Sequence, residues 1–237
     1  MPLFMPQLPP TTKFLILLCV AVFCLDKLLL TNGVIAGWFA LWPVGSGLFM
    51  PWQVLSYAVL HADWAHLFFN MLGLWMFGAE LERLWGRNRY LQFIAASVLS
   101  AAAAQLLVTA LMGSGAPTVG ASGALFGLLL AYALSFPHRS FDLVGFLPMV
   151  LLMVPSPIFS FAGMVLYVML MTNRRAVPIP PVYVPALVMV AIFGVVELVL
   201  GLFFRSGIAH FAHLGGMLGG WLMFLYWRRP GGLKRRR

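Results

Sequence analysis

The chain has 237 residues, 62% of them hydrophobic and only 9% charged. A water-soluble domain carries about a quarter charged residues and cannot cover its surface with so few, so the composition excludes one and predicts an integral membrane protein. The formal net charge is +9, but the cations cluster at Arg83, Arg87 and Arg89, at Arg174 and Arg175, and from Arg228 and Arg229 to Lys234, Arg235, Arg236 and Arg237. No aromatic-interleaved basic face accompanies them, which argues against nucleic acid and for a role in membrane topology.

A spanning helix needs about 20 mostly apolar residues. Residues 1–13 are proline-rich and carry no small-residue cleavage site, so a retained first span is expected rather than a removed signal peptide. The first span is predicted over residues 14–30, with Asp26 and Lys27 near its outer end. Cys19 and Cys24 within it lack metal-ligand spacing and read as packing residues. Residues 31–51, with Trp38, Trp42 and Pro43, suit a loop lying in the membrane interface, and Trp52 follows it. A second span is predicted over 53–77 and a third, alanine-rich, over 90–112. A glycine-rich turn at 113–117 leads to a fourth at 120–136. After an apolar stretch, 141–171, a late span is predicted over 184–204 and a last over 208–227, before the basic tail 228–237.

Lys13, the Arg83–Arg89 loop, Arg139 and the tail alternate as the positive-inside rule requires for six core spans with both termini cytoplasmic. Lys27 and Arg205 are isolated exceptions. The stretch 141–171 is flanked by Arg139 and by Arg174 and Arg175, so it should cross an even number of times. Pro148, Pro155 and Pro157 break it into pieces short of a full span. A re-entrant or interfacial hairpin is expected, with a pair of short spans as the alternative. The fold class is therefore all-α: one polytopic helical bundle, residues 1–237, with an apolar hairpin insertion between the fourth and fifth core spans.

In that topology the fourth and last spans both start on the non-cytoplasmic side, and the second descends from it. Ser122, His213, His61, His66 and Asn70 then converge at one depth. Ionisable and polar groups inside hydrocarbon are costly and mark a functional site by default. A serine hydroxyl needs a base to become a nucleophile, and imidazole suits that task. Asp63, near the second-span entrance, and Glu197, on the preceding span, read as structural partners; a Ser–His dyad is expected, not a triad. Attack on an amide also builds an oxyanion. Donors for it are available from Asn70, His66 and the Ser122 backbone N–H, and the four-residue spacing of His66 and Asn70 puts them on one helix face.

Simpler roles compete. Gly120-x-x-x-Ala124, Gly123-x-x-x-Gly127 and Gly216-x-x-x-Gly220 are small-residue packing patterns first. His61 and His210 read as buried hydrogen-bonders, and His138 as solvated beside Arg139. No H-E-x-x-H pattern or cysteine set predicts a metal.

In order along the chain, HADWAHLFFN (61–70), GASG (120–123) and AHLGGMLGG (212–220) match H-x4-H-x3-N, G-x-S-G and A-H-x-x-G-x-x-x-G. The chain thereby resembles the rhomboid intramembrane serine proteases, specifically the compact six-helix bacterial type, over roughly residues 49–137 and 184–227. The last motif selects His213 over His210, because His213 stands where a register on His210 requires glycine. The resemblance implies cleavage of transmembrane protein substrates at a site open to the non-cytoplasmic side, in a bacterial inner membrane, without metal or organic cofactor and with no nucleic-acid partner. It implies Ser122 as nucleophile and His213 as base. His66, Asn70 and the Ser122 amide would form the oxyanion hole, His61 would support the site, and Gly120 and Gly123 would frame the serine. Where some members place a tyrosine four residues after the serine, this chain has Phe126, which keeps the ring and lacks the hydroxyl. The insertion at 141–171 exceeds what a minimal six-helix member needs. A catalytically silent client-binding relative is the alternative function, and a histidine-lined transporter explains the cluster but not the Gly-x-Ser-Gly motif. Oligomeric state is not legible.

Overall fold

The structure, a computed structural model, describes residues 8–29, 33–113, 115–148, 151, 157–203 and 209–228. Pro155, Arg205, most of the N-terminal segment and the tail beyond Arg228 lie outside these residues. As the composition predicts, the main elements are helical. The described chain gathers into two compact units, Met1–Tyr132 with Gly194–Arg237, and Ala133–Phe193.

In the first unit, helix α1 (Pro10–Cys24) opens with proline at its first position, where a missing N–H costs nothing. Its unpaired N–H groups are capped from a distance. The Glu82 carboxylate accepts from Thr11 N (2.9 Å), Thr12 N (2.7 Å) and Thr12 Oγ1 (2.7 Å). The segment expected to lie in the interface contains a short helix α2 (Val34–Phe39) and a 3₁₀ turn (Val44–Ser46). Its organiser is one amide. Fully buried Gln53 accepts from Trp42 N and Met50 N through Oε1 and donates to Trp38 O and Leu48 O through Nε2. Trp38, Val44, Leu48 and Trp52 are left exposed around it, which suits a headgroup-level element.

The second predicted span, 53–77, is not one helix. A short helix α3 (Gln53–Ser56) and a 3₁₀ turn (Tyr57–Val59) precede a break, and helix α4 (Trp64–Gly73) begins only after Asp63. Asp63 is extended and its carboxylate accepts from His66 N, so it works as an N-cap and resets the helix start. A π turn (Leu74–Gly78) carries α4 into α5 (Ala79–Trp85). Helix α6 (Arg87–Met112) follows and ends on left-handed Gly113. Helix α7 (Ser122–Ser135) has 14 residues, about 21 Å at 1.5 Å per residue. Helices α9 (Ala186–Phe203) and α10 (His210–Arg228) close the chain. By length and composition α6 and α9 are long and apolar enough to cross a membrane.

Within the second unit, β1 (Ser140–Asp142) and β2 (Tyr183–Pro185) pair antiparallel and bracket the insertion. Asp142 accepts from Val144 N, Val182 N and Arg174 Nε. The described residues of the insertion include a 3₁₀ turn (Leu143–Phe146) and a 16-residue helix α8 (Pro157–Thr172), itself short of a full span.

Burial opposes ionisation of Glu82, but the hydrogen bonds from Thr11 and Thr12 hold its carboxyl below the usual range. A depressed carboxyl pKa stabilises above the unfolded value and loses that contribution as pH falls through the folded one. Glu82→Ala should therefore cost at least about 2 kcal/mol at neutral pH, given charge-assisted bonds to backbone N–H. Thermal melts in detergent should show the wild-type advantage shrinking below about pH 4.

Candidate active site

The approach to α7 is held by backbone pairing. Leu41 and Thr118 exchange N–H···O bonds of 2.9 Å each, and Gly120 N donates to Tyr57 O at 2.9 Å. Gly120 has φ +125°, a conformation that L side chains rarely adopt. A Cβ there would also stand 2.6 Å from His66 Nε2 and 3.7 Å from Ser122 Oγ. One missing methyl group thus gives His66 and Ser122 a shared space. Ser122 opens α7, where backbone N–H groups have no intrahelical acceptor. It is half-buried.

His213 Nε2 lies 2.8 Å from Ser122 Oγ. The His213 ring stacks on Phe126, centroids 4.4 Å apart and planes 5° from parallel. Small residues permit this approach. A Cβ on Gly216 would strike the Gly123 carbonyl, and one on Gly127 would stand 2.8 Å from Gly216 O. On the other side of α10, a Cβ on Gly215 or Gly219 would meet Ser100 O at 2.7 Å or Ala96 O at 2.6 Å. The last helix is wedged against α7 and α6 at backbone contact.

The dyad expectation omitted a carboxylate that the structure brings in. Glu197 Oε2 on α9 lies 3.0 Å from His213 Nδ1 and 2.6 Å from His210 Nδ1. The contact to His210 is aligned as a hydrogen bond, whereas that to His213 is close but off-line. All three residues are buried. Glu197 was legible as a lone carboxylate in an apolar span; its partner was hidden because it stands on a different helix, α10. The three donor groups lie within 4.8 Å of one another and form a two-histidine, one-carboxylate set that could hold a metal. The 2.6 and 3.0 Å separations are those of shared protons; ligands of a tetrahedral zinc stand about 3.3 Å apart.

His61 precedes the capped helix instead of lying on it. Buried, it meets the His66 ring edge-on at 5.1 Å. Asn70 is buried one turn below His66 and donates through Nδ2 to the His66 carbonyl at 2.8 Å, which occupies one of its two amide protons. His66 Nδ1 faces Ala62 N–H at a long 3.5 Å. His138 is exposed.

Comparison with known proteins gives a consistent outcome. The family model described as a rhomboid domain matches residues 49–166 and 155–230. The chain is similar to rhomboid protease GluP of Bacillus subtilis, 40% identical over 78 residues, covering 33% of this chain and 14% of that protein. It is similar to mitochondrial Rhomboid protein 1 of Saccharomyces cerevisiae, 36% identical over 99 residues, 40% of this chain and 28% of that protein. Against rhomboid protease GlpG of Yersinia pestis it is 30% identical over 124 residues, 52% of this chain and 42% of that protein. In each case the chain spans less than half the relative's length.

Gly120→Ala imposes both a strained φ and a collision with His66. Labelling of Ser122 by a fluorophosphonate should slow by about 10²-fold, the scale of an ångström-sized misplacement, and the melting temperature should fall as the strain is taken up. Labelling at the wild-type rate would contradict the shared space.

Proposed function

The chain belongs to the rhomboid family, and on that premise we propose that it is an intramembrane serine endopeptidase that cleaves transmembrane proteins. The observation that carries the proposal is the 2.8 Å separation of His213 Nε2 and Ser122 Oγ, from helices 91 residues apart in sequence. In the bilayer, α1, the second span ending at residue 77, α6, α7, α9 and α10 form six core spans of one domain with both termini cytoplasmic, and α5 with Glu82 lies beyond the second span at the cytoplasmic face. The membrane is a bacterial inner membrane, and the site faces its non-cytoplasmic side.

In the first step His213 Nε2 takes the Ser122 hydroxyl proton as Oγ bonds to the scissile carbonyl carbon, and the carbonyl π pair moves onto oxygen. The oxyanion is stabilised by the Ser122 backbone N–H and by His66. With Nδ1 turned to Ala62 N–H, the neutral His66 ring carries its proton on Nε2, the nitrogen beside Gly120. The remaining Asn70 amide proton is a further donor. Collapse of the intermediate breaks the C–N bond, with His213 returning its proton to the leaving amine. Water, deprotonated by His213, then hydrolyses the acyl-enzyme. Phe126 keeps the imidazole plane fixed, His61 buttresses His66, and Gly120 and Gly123 keep the serine uncrowded. The chemistry calls for no cofactor.

Ser122→Ala and His213→Ala should each reduce cleavage of a transmembrane substrate in proteoliposomes by at least about a thousandfold, the scale for loss of a nucleophile or its base. Ser122→Ala should keep the wild-type melting temperature within a few degrees, whereas His213→Ala, which empties the space against Phe126 and Glu197, should fold but melt lower. Cleavage at the wild-type rate by Ser122→Ala would refute the assignment.

A further inference from the structure

Glu197 stands outside the nucleophile-and-base pair, and yet one of its oxygens touches the base. For His213 Nε2 to accept the serine proton, the neutral ring must carry its own proton on Nδ1. Nδ1 faces Glu197 Oε2 at 3.0 Å. That oxygen has two lone pairs, and the second is taken by His210 Nδ1 at 2.6 Å. His210 thereby holds the carboxylate from the side away from Ser122, and the two imidazole planes stand at 90° to one another. Phe126 fixes the tilt of the His213 ring by stacking, but stacking on a flat face leaves the ring's tautomer undetermined. A carboxylate beside one ring nitrogen can choose it, and Glu197 Oε2 stands 3.0 Å from Nδ1, although off the N–H line in this structure.

We propose that Glu197 is a positioning carboxylate for His213, held by His210, so that this chain works with a Ser122–His213–Glu197 relay in place of a bare pair. The inference rests on the proteolytic reading above. No proton passes to Glu197. His213 keeps its Nδ1 proton throughout, and the carboxylate stays ionised beside the imidazolium that forms when Nε2 takes the serine proton. The ion pair develops as the serine attacks, so the benefit is felt in the transition state and belongs in kcat. A merely structural Glu197, pinning α9 to α10 through His210, would act on stability and leave kcat alone.

The test is Glu197→Gln, nearly isosteric, assayed on a transmembrane substrate in proteoliposomes beside wild type, Glu197→Asp and Ser122→Ala. A drop in kcat of about 10²- to 10⁴-fold is expected, the scale seen when the carboxylate behind a catalytic histidine becomes an amide. KM should stay within about threefold, and Glu197→Asp should recover part of the rate. Wild-type kcat in Glu197→Gln, with Ser122→Ala inactive, overturns this inference alone; an active Ser122→Ala overturns the proteolytic reading itself. Should Glu197→Gln fail to fold, the Nδ1 proton shift of ¹⁵N-labelled His213 in the wild-type protein decides the matter. An Nδ1 proton shifted strongly downfield, as a hydrogen bond to a carboxylate requires, supports the relay, and an Nδ1 proton at the position of a ring without a carboxylate partner overturns it.

Discussion

Everything at the site depends on two backbones meeting at Gly123 and Gly216. Helices in globular and membrane bundles ordinarily lie 8–10 Å apart, with side chains between them. Short side chains such as serine then cannot reach across. Here the α10 surface toward α7 lacks Cβ atoms at Gly216 and Gly220, and α7 answers with Gly123 and Gly127. Neither side could carry a methyl group: a Cβ on Gly216 would strike the Gly123 carbonyl, and one on Gly127 would stand 2.8 Å from Gly216 O. In lipid the hydrophobic effect does not press helices together, so close van der Waals packing of small residues must supply the association. The same glycines that hold α10 in place therefore set the depth at which His213 meets Ser122. Helix packing and the Ser122–His213 approach are served by one pattern.

Carboxylates are scarce in this chain, six acidic residues among 237, and the structure uses several of them on N–H groups. Asp63 caps α4, Glu82 caps α1 from another helix, and Asp142 gathers two backbone N–H groups and Arg174. Glu197 is the deep one. A charged acid at the centre of a span costs about 2.5–3.5 kcal/mol on insertion scales. Hydrogen bonds to charged groups return about 1.5–3 kcal/mol each. The aligned His210 bond offsets most of that cost, and His213 Nδ1 adds attraction at 3.0 Å off the N–H line. His210 thus has a reason to sit beside His213.

The fold was legible where periodicity and composition act over long stretches. The alanine-rich third span, the glycine stop at Gly113 and the late apolar span all follow from the residue pattern. The second span was misjudged because the run from Val54 to Leu60, apolar but for Ser56, masks a local event. Asp63 offers its helix a better start than the residues before it, and a side-chain cap decides helix boundaries more sharply than hydropathy does. Gln53 was invisible for a related reason. An amide in an apolar run reads as an interruption, and its four-way bonding to Trp38, Trp42, Leu48 and Met50 exists only once the loop has closed around it.

The site was legible through spacing within helices and illegible across turns. His66 and Asn70 share a face because they are four apart, and the choice of His213 over His210 follows from the glycines after each. Glu197 is on α9 and His213 on α10, so no helical period relates them. The physical signal was still present. An acid within an apolar helix must find a donor, and the nearest polar residues in the following helix are His210 and His213. Asking which of the two it serves assumes it must choose, and a carboxylate oxygen with two lone pairs does not. Its contact with His210 is what allows its contact with His213, because a carboxylate fixed from one side is the only kind that can orient a ring on the other.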